Sequence, residues 1–320
     1  MRITKSYRSM KHFFLGLLTA LLLVFAPVQI FAEEAAEGTE SQVPSKTEIK
    51  SGLLKEGRYY CYYRNGNKIK NRWVNIGSDR YYFNEKGYAV TNSMKRGQYI
   101  YVFDLEGKLQ RPKKQSIVKV GQNLYYVDKK GHATTGWFIL KGRLYRGDPK
   151  GRLCKNRVYA GVTFGKNGYA IKNTNSQLKM QTMQIMSRIT NSRMTKYQKL
   201  NACWNYVVNH IYYYSWYPGT AKGWQNRCAL NTLTTGRGNC YGYACAFAAL
   251  AKEAGFKPKV VSGRVSGTRD GAGDGMTRHC WVIINGAYYD PEAHAAGWWR
   301  GVYGSGSYSI NHQISQILDF

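Results

Sequence analysis

Residues Gly236–Gly255 read GRGNCYGYACAFAALAKEAG. Gly236 and Gly238 allow a tight turn, and the Asn239 side chain suits the cap that accepts hydrogen bonds from the first N–H groups of a helix. From Cys240 to Ala254 the chain is rich in alanine, with Tyr243, Phe247, Leu250 and Ala254 at helical spacing. Gly255 is placed to end that helix in a left-handed conformation. The spacing therefore predicts a helix opening on Cys240. There the unpaired N–H groups and the macrodipole favour a thiolate, the nucleophilic form. The same groups can stabilise an oxyanion on a substrate. Cys245, well inside the helix, has neither advantage and is expected to pack.

A thiolate needs a base that also protonates the leaving group. Arg278–Ala293 reads RHCWVIINGAYYDPEA. His279–Ile284 alternates as a strand does, and Asn285-Gly286 is a strong hairpin signal. A two-residue turn there pairs Ile284 with Ala287, Val282 with Tyr289 and Trp281 with Asp290. Partners across a ladder share a face, and His279 shares its face with Trp281. His279 and Asp290 are then diagonal neighbours about 7 Å apart at the backbone, within side-chain reach. That places a carboxylate to orient an imidazole. A one-residue bulge would shift the register and make Glu292 a rival acid. Cys280 points to the opposite face, which argues for packing or a disulfide and against a zinc site shared with His279. His132, His210, His294 and His312 have no such constellation and are expected to be solvated or structural.

GRGNCYGYACAFAALAKEAGFKPKVVSGRV followed by RHCWVIINGAYYDPEA resembles the transglutaminase-like core, and KYQKLNACWNYVVNHIYYY fits its upstream helix. The resemblance covers Thr195–Ala293 and implies a papain-like α+β fold. By it Cys240 is the nucleophile, His279 the general base and acid, and Asp290 the orienting acid. A tryptophan near the oxyanion is also implied, with Trp216 and Trp224 as candidates. The implied chemistry is attack on a protein or peptide amide through a thioester, without cofactor or metal. Water as acceptor makes a protease or amidase, and a lysine amine makes a transamidase. Around this stretch, Leu178–Ile189 and Lys196–Ile211 show helical spacing, with Leu200, Trp204, Val207, Val208 and Ile211 on one stripe. YYYSWYPGTAKGWQNR reads as a connection. The catalytic domain is expected over residues 176–320.

Residues 51–172 have another grammar. GSDRYYFNEKGYAV, GQYIYVFDLEGKLQ, GQNLYYVDKKGHAT and GRLYRGDPKGRL align by their glycines, and YYCYYRNGNKIK and YAGVTFGKNGYAI flank the series. The period is about 20 residues, the mark of a repeat architecture. Each unit reads as a β-hairpin too small to bury its own face, so stacking into an all-β solenoid is expected. The units resemble the cell-wall-binding repeats that include choline-binding and glucan-binding modules. GQNLYYVDKKGHATTGW (Gly121–Trp137) is the fullest copy, and Trp73 and Trp137 fill the tryptophan slot. The resemblance implies ligand contacts from Trp73, Tyr81, Tyr82, Tyr125, Tyr126 and Trp137, and a wall polymer, glycan or teichoic acid, as partner.

Arg2, Lys5, Arg8 and Lys11 precede an apolar run, Phe13–Phe25, and a small-residue site at Ile30-Phe31-Ala32. This is the layout of a secretory signal peptide over residues 1–32. Residues 33–50 read as an acidic flexible linker. Loss of the leader lowers the formal charge of +29 by four, leaving a strongly basic protein drawn to polyanions. Secretion to the cell wall or cell surface is expected, with no membrane span after cleavage and no nucleic-acid partner. Seven cysteines leave at least one thiol free or paired with another chain. The alternative reading is a non-catalytic wall-binding protein or adhesin on an inactive transglutaminase-like scaffold.

Overall fold

From Gly52 to Phe164 the chain runs through six successive antiparallel hairpins, Gly52–Arg64, Arg72–Phe83, Asn92–Phe103, Ser116–Val127, Gly136–Gly147 and Arg157–Phe164. The computed structural model describes residues 49–219, 221–298 and 302–320, and Ile49–Phe320 form one compact unit. The expected leader and nearly all of the expected linker lie outside the described residues.

One device repeats between hairpins. The side chains of Asn84, Asp104, Asp128 and Asp148 each accept from the backbone N–H groups two and four residues on. Such Asx turns swing the chain back onto the preceding hairpin. There Ala89, Leu109, Ala133, Leu153 and Ala170 donate to the carbonyls of Tyr60, Arg80, Ile100, Leu124 and Leu144 at 2.7–2.8 Å. The hairpins thus form a stack whose apolar core lies between units.

Strand parity decides which tyrosines are free. Tyr81 and Phe83 face inward, as do Tyr125 and Val127; Tyr81 is 2% exposed and Tyr125 fully buried. Both tyrosines are core residues, which corrects the expectation that they contact a wall ligand. Tyr82 and Tyr126 alternate outward. Tyr82 accepts a hydrogen bond from Arg96, and Tyr126 stacks on Phe138. Trp73 and Trp137 are half-buried, and a cation of the chain itself lies over each: Arg80 at 4.4 Å and Lys179 at 4.9 Å from the ring centres.

The second half begins at Asn173, which with Ser176 forms a capping box for α1 (Thr174–Ile189). Thr195 and Gln198 do the same for α2 (Lys196–His210). An unforeseen helix, α3 (Trp224–Thr235), begins in the last four residues of the stretch read as a connection and runs beyond it, between two left-handed glycines, Gly223 and Gly236. Then come α4 (Cys240–Glu253) and the short α5 (Pro291–Ala295). α4 is buried along nearly its whole length, as its alanine content requires. Five strands form one antiparallel sheet, ordered Tyr303–Ser305, Ala287–Tyr289, Met276–Ile284, Lys259–Ser266, His312–Asp319. Cys280, Val282 and Ile284 pack with the helices, whereas Trp281 packs with Val261, Val265, Tyr308 and Ile310. No helix among the described residues is long and apolar enough to cross a membrane.

Candidate active site

Helix α4 starts on Cys240, as its sequence requires. The Asn239 side chain accepts from the N–H groups of Tyr241 and Gly242 at 3.1 and 3.4 Å and donates to the Trp216 carbonyl. Gly238 and Gly242 press against Thr232 of α3: a Cβ on Gly242 would lie 2.7 Å from the Thr232 hydroxyl. The close approach of α3 thus fixes the turn that carries Cys240, which is buried at 5% exposure.

The hairpin after His279 has the register its sequence dictates, with Asn285 and Gly286 both at positive φ and Ile284 opposite Ala287, Val282 opposite Tyr289. The ladder ends at Tyr289. Asp290 turns out of it to cap α5, its Oδ1 accepting from the Ala293 N–H at 3.0 Å. Its Oδ2 accepts from His279 Nε2 at 2.6 Å, with His279 2% exposed and Asp290 fully buried. Opposite His279 on the neighbouring strand stands Gly263, where a Cβ would collide with the Gln313 carbonyl and the Trp281 indole. The missing side chain lets the edge strand and the indole close around the histidine.

Burial alone would push His279 down, but the charge and hydrogen bond of Asp290 hold it well above the ordinary histidine value. Cys240 also contributes to that rise, so its side chain lies near the imidazole that Asp290 holds. Nε2 is committed to Asp290, which leaves Nδ1 as the nitrogen for the sulfur. Glu292, the rival acid, does not take the orienting position. It is buried with its Oε2 3.9 Å from His279 Nδ1.

Sequence reasoning missed Tyr308. Its hydroxyl donates to Asp290 Oδ2 at 2.7 Å, and its ring stacks on Trp281 at 4.8 Å, which in turn lies beside His279. Burial and the Asp290 carboxylate raise the phenol far above its usual range, so it stays a donor. Tyr308 comes from a stretch without helical or strand periodicity, and no local signal marks it. Of the tryptophan candidates, Trp224 is buried against Tyr241, while Trp216 is partly exposed beside Asn239. Among the described residues, no three or more His, Cys, Asp or Glu side chains are arranged to hold a metal. Burial pushes the thiols of Cys245 and Cys280 well above the ordinary range, which suits packing residues.

Residues 183–300 match the family model described as the transglutaminase-like superfamily. Residues 183–300 therefore form a transglutaminase-like domain, and a stack of β-hairpins precedes it. No curated protein matches the chain. Among solved structures, choline binding protein F from Streptococcus pneumoniae is 19% identical over 39% of this chain and 49% of its own, with a TM-score of 0.23. The modular Cpl-1 endolysin complexed with a peptidoglycan analogue is 27% identical over 32% of this chain and 30% of its own, with a TM-score of 0.26. Alternansucrase in complex with isomaltononaose is 25% identical over 38% of this chain and 10% of its own, with a TM-score of 0.27. The chain spans less than half the length of each of these.

Proposed function

We propose that the protein is an exported cysteine enzyme acting on protein or peptide amides at the cell wall, where its hairpin stack holds it. The observation that carries this reading is the buried His279–Asp290 pair, at 2.6 Å, facing a cysteine at the start of α4. Such a pair keeps an imidazolium beside a thiolate. Cys240 attacks the amide carbonyl. The Cys240 N–H, which the Asn239 side chain does not take up, serves as a donor to the developing oxyanion. His279 Nδ1 protonates the departing amine or ammonia, the C–N bond breaks, and a thioester remains on Cys240. His279 then takes a proton from the acceptor, the acceptor attacks, and the thiolate leaves. Asp290 keeps the ring in the orientation that presents Nδ1 throughout.

The leader pattern of residues 1–32, the hairpin stack and the formal charge of +29 support export and retention at an anionic surface. The test is incubation of the purified chain with a library of glutamine-containing and cross-bridge-like peptides, followed by mass spectrometry of the protein and the peptides. The reading expects an acyl mass on Cys240, accompanied by released amine or ammonia and abolished by Cys240→Ala. Acylation that survives that substitution, or its absence from the wild-type chain, overturns it.

A further inference from the structure

Glu292 has no part in the steps above, yet it lies against the working nitrogen of His279. It is 2% exposed, and its Oε2 has no hydrogen-bond partner and sits 3.9 Å from Nδ1. Its Oε1 accepts from Arg269 Nη1 at 3.3 Å. Arg269 reaches in from the loop between Ser266 and Met276, with more than a third of its side chain exposed, so it marks the way out to solvent. Its guanidinium lies 4.0 Å from the Trp298 ring centre and 5.0 Å from that of Tyr213. It also donates to the Tyr213 hydroxyl at 3.3 Å. A cation between two aromatic faces and a buried carboxylate is the arrangement that recognises an alkylammonium.

We propose that Glu292 is the acceptor carboxylate of the reaction, seating a primary alkylammonium such as a lysine side chain where Arg269 now rests, and so favouring aminolysis over hydrolysis. This rests on the acyl-enzyme reading above. Water must lose one proton to attack the thioester, and His279 takes it. An alkylammonium must lose two. Glu292 accepts the first, becoming a carboxylic acid and leaving a neutral amine. The amine nitrogen attacks the thioester carbon, the C–N bond forms, and His279 Nδ1 takes the second proton. The adduct collapses with cleavage of the C–S bond, releasing an amide and restoring the thiolate–imidazolium pair. Glu292 returns its proton to water. Burial raises Glu292 above the ordinary carboxylate range, the direction that improves a base for this transfer.

The test uses the full chain, acylated by a p-nitrophenyl ester of an N-acyl amino acid, with the products partitioned by mass spectrometry. Two acceptors compete with water at neutral pH: n-butylamine, which is protonated, and hydroxylamine, which is largely neutral. In Glu292→Gln the ratio of butylamide to free acid falls at least about tenfold, whereas the hydroxamate ratio stays within about twofold. Arg269→Met, which vacates the seat, raises the butylamide ratio, and this arm stands if Glu292→Gln fails to fold. A merely structural Glu292 lowers all three products together, and that result overturns the proposal. So does wild-type chain that gives acid and hydroxamate but no butylamide. Wild-type chain that never acylates on Cys240 instead removes the acyl-enzyme reading itself.

Discussion

Tyr308 donates to Asp290 Oδ2 at 2.7 Å, the same oxygen that accepts from His279 Nε2 at 2.6 Å. One carboxylate oxygen thus ties the strand bearing His279 to a segment near the end of the chain. Tyr308→Phe keeps the ring stack on Trp281 and deletes only this bond. Hydrogen bonds to a buried charge contribute about 1.5–3 kcal/mol, and the variant is expected to lose that much in denaturant unfolding. Turnover falls roughly 10- to 100-fold, because the imidazole loses part of its fixed orientation. Full activity in Tyr308→Phe contradicts the positioning role.

The raised pKa of His279 sets a pH dependence. Asp290 stabilises the imidazolium in the folded chain above its ordinary value of 6.5. Such a group contributes its full stabilisation below the unfolded value and loses it as pH rises through the folded value. Asp290→Asn is therefore expected to differ most from the wild type at pH ~6, with the gap narrowing as the pH rises well above the ordinary histidine value. Thermal melts of both proteins across that range measure it; a gap that widens with pH has the wrong sign.

The α3–α4 contact gives a repairable defect. Gly242→Ala drives a methyl to 2.7 Å from the Thr232 hydroxyl, itself buried and without a partner. Overpacking of this kind costs about 1–3 kcal/mol and displaces the turn that carries Cys240. Adding Thr232→Ala removes the obstructing atoms and is expected to restore stability and activity together. A double variant no better than Gly242→Ala counts against this account of the turn.

The two tryptophans of the hairpin stack make a ligand prediction. Lys179 lies over Trp137 while bound to Glu253 at 2.5 Å, and Arg80 lies over Trp73. With those faces already holding a cation, millimolar choline is expected to leave the wild-type tryptophan emission unchanged. Lys179→Met frees Trp137, and a choline-dependent change then appears. Quenching of equal size in both proteins shows that Lys179 does not cover the ring.

Local patterns made the central elements legible. The cap and alanine run of α4, and the Asn285-Gly286 turn that sets the register of His279, are short-range features with few alternatives. The hairpins were readable for the same reason, since glycine and Asx turns recur at fixed offsets. What escaped was long-range. α3 has a weak apolar stripe, and its glycines suit a loop equally well. Tyr308 acts through a contact 18 residues away from Asp290, made only once the edge strand pairs with Lys259–Ser266. Likeness of pattern points Tyr81 and Tyr125 at a ligand, although strand alternation sends them into the core and leaves Tyr82 and Tyr126 outward.

The most direct measurement is alkylation of the purified protein by iodoacetamide at pH ~6, where an ordinary thiol is almost wholly protonated. Peptide mass spectrometry reads each cysteine, and His279→Ala is the control. The account predicts fast modification confined to Cys240, with Cys245 and Cys280 silent, and a marked slowing in the control. Cys240 reacting no faster than an ordinary thiol, or equally fast without His279, contradicts it.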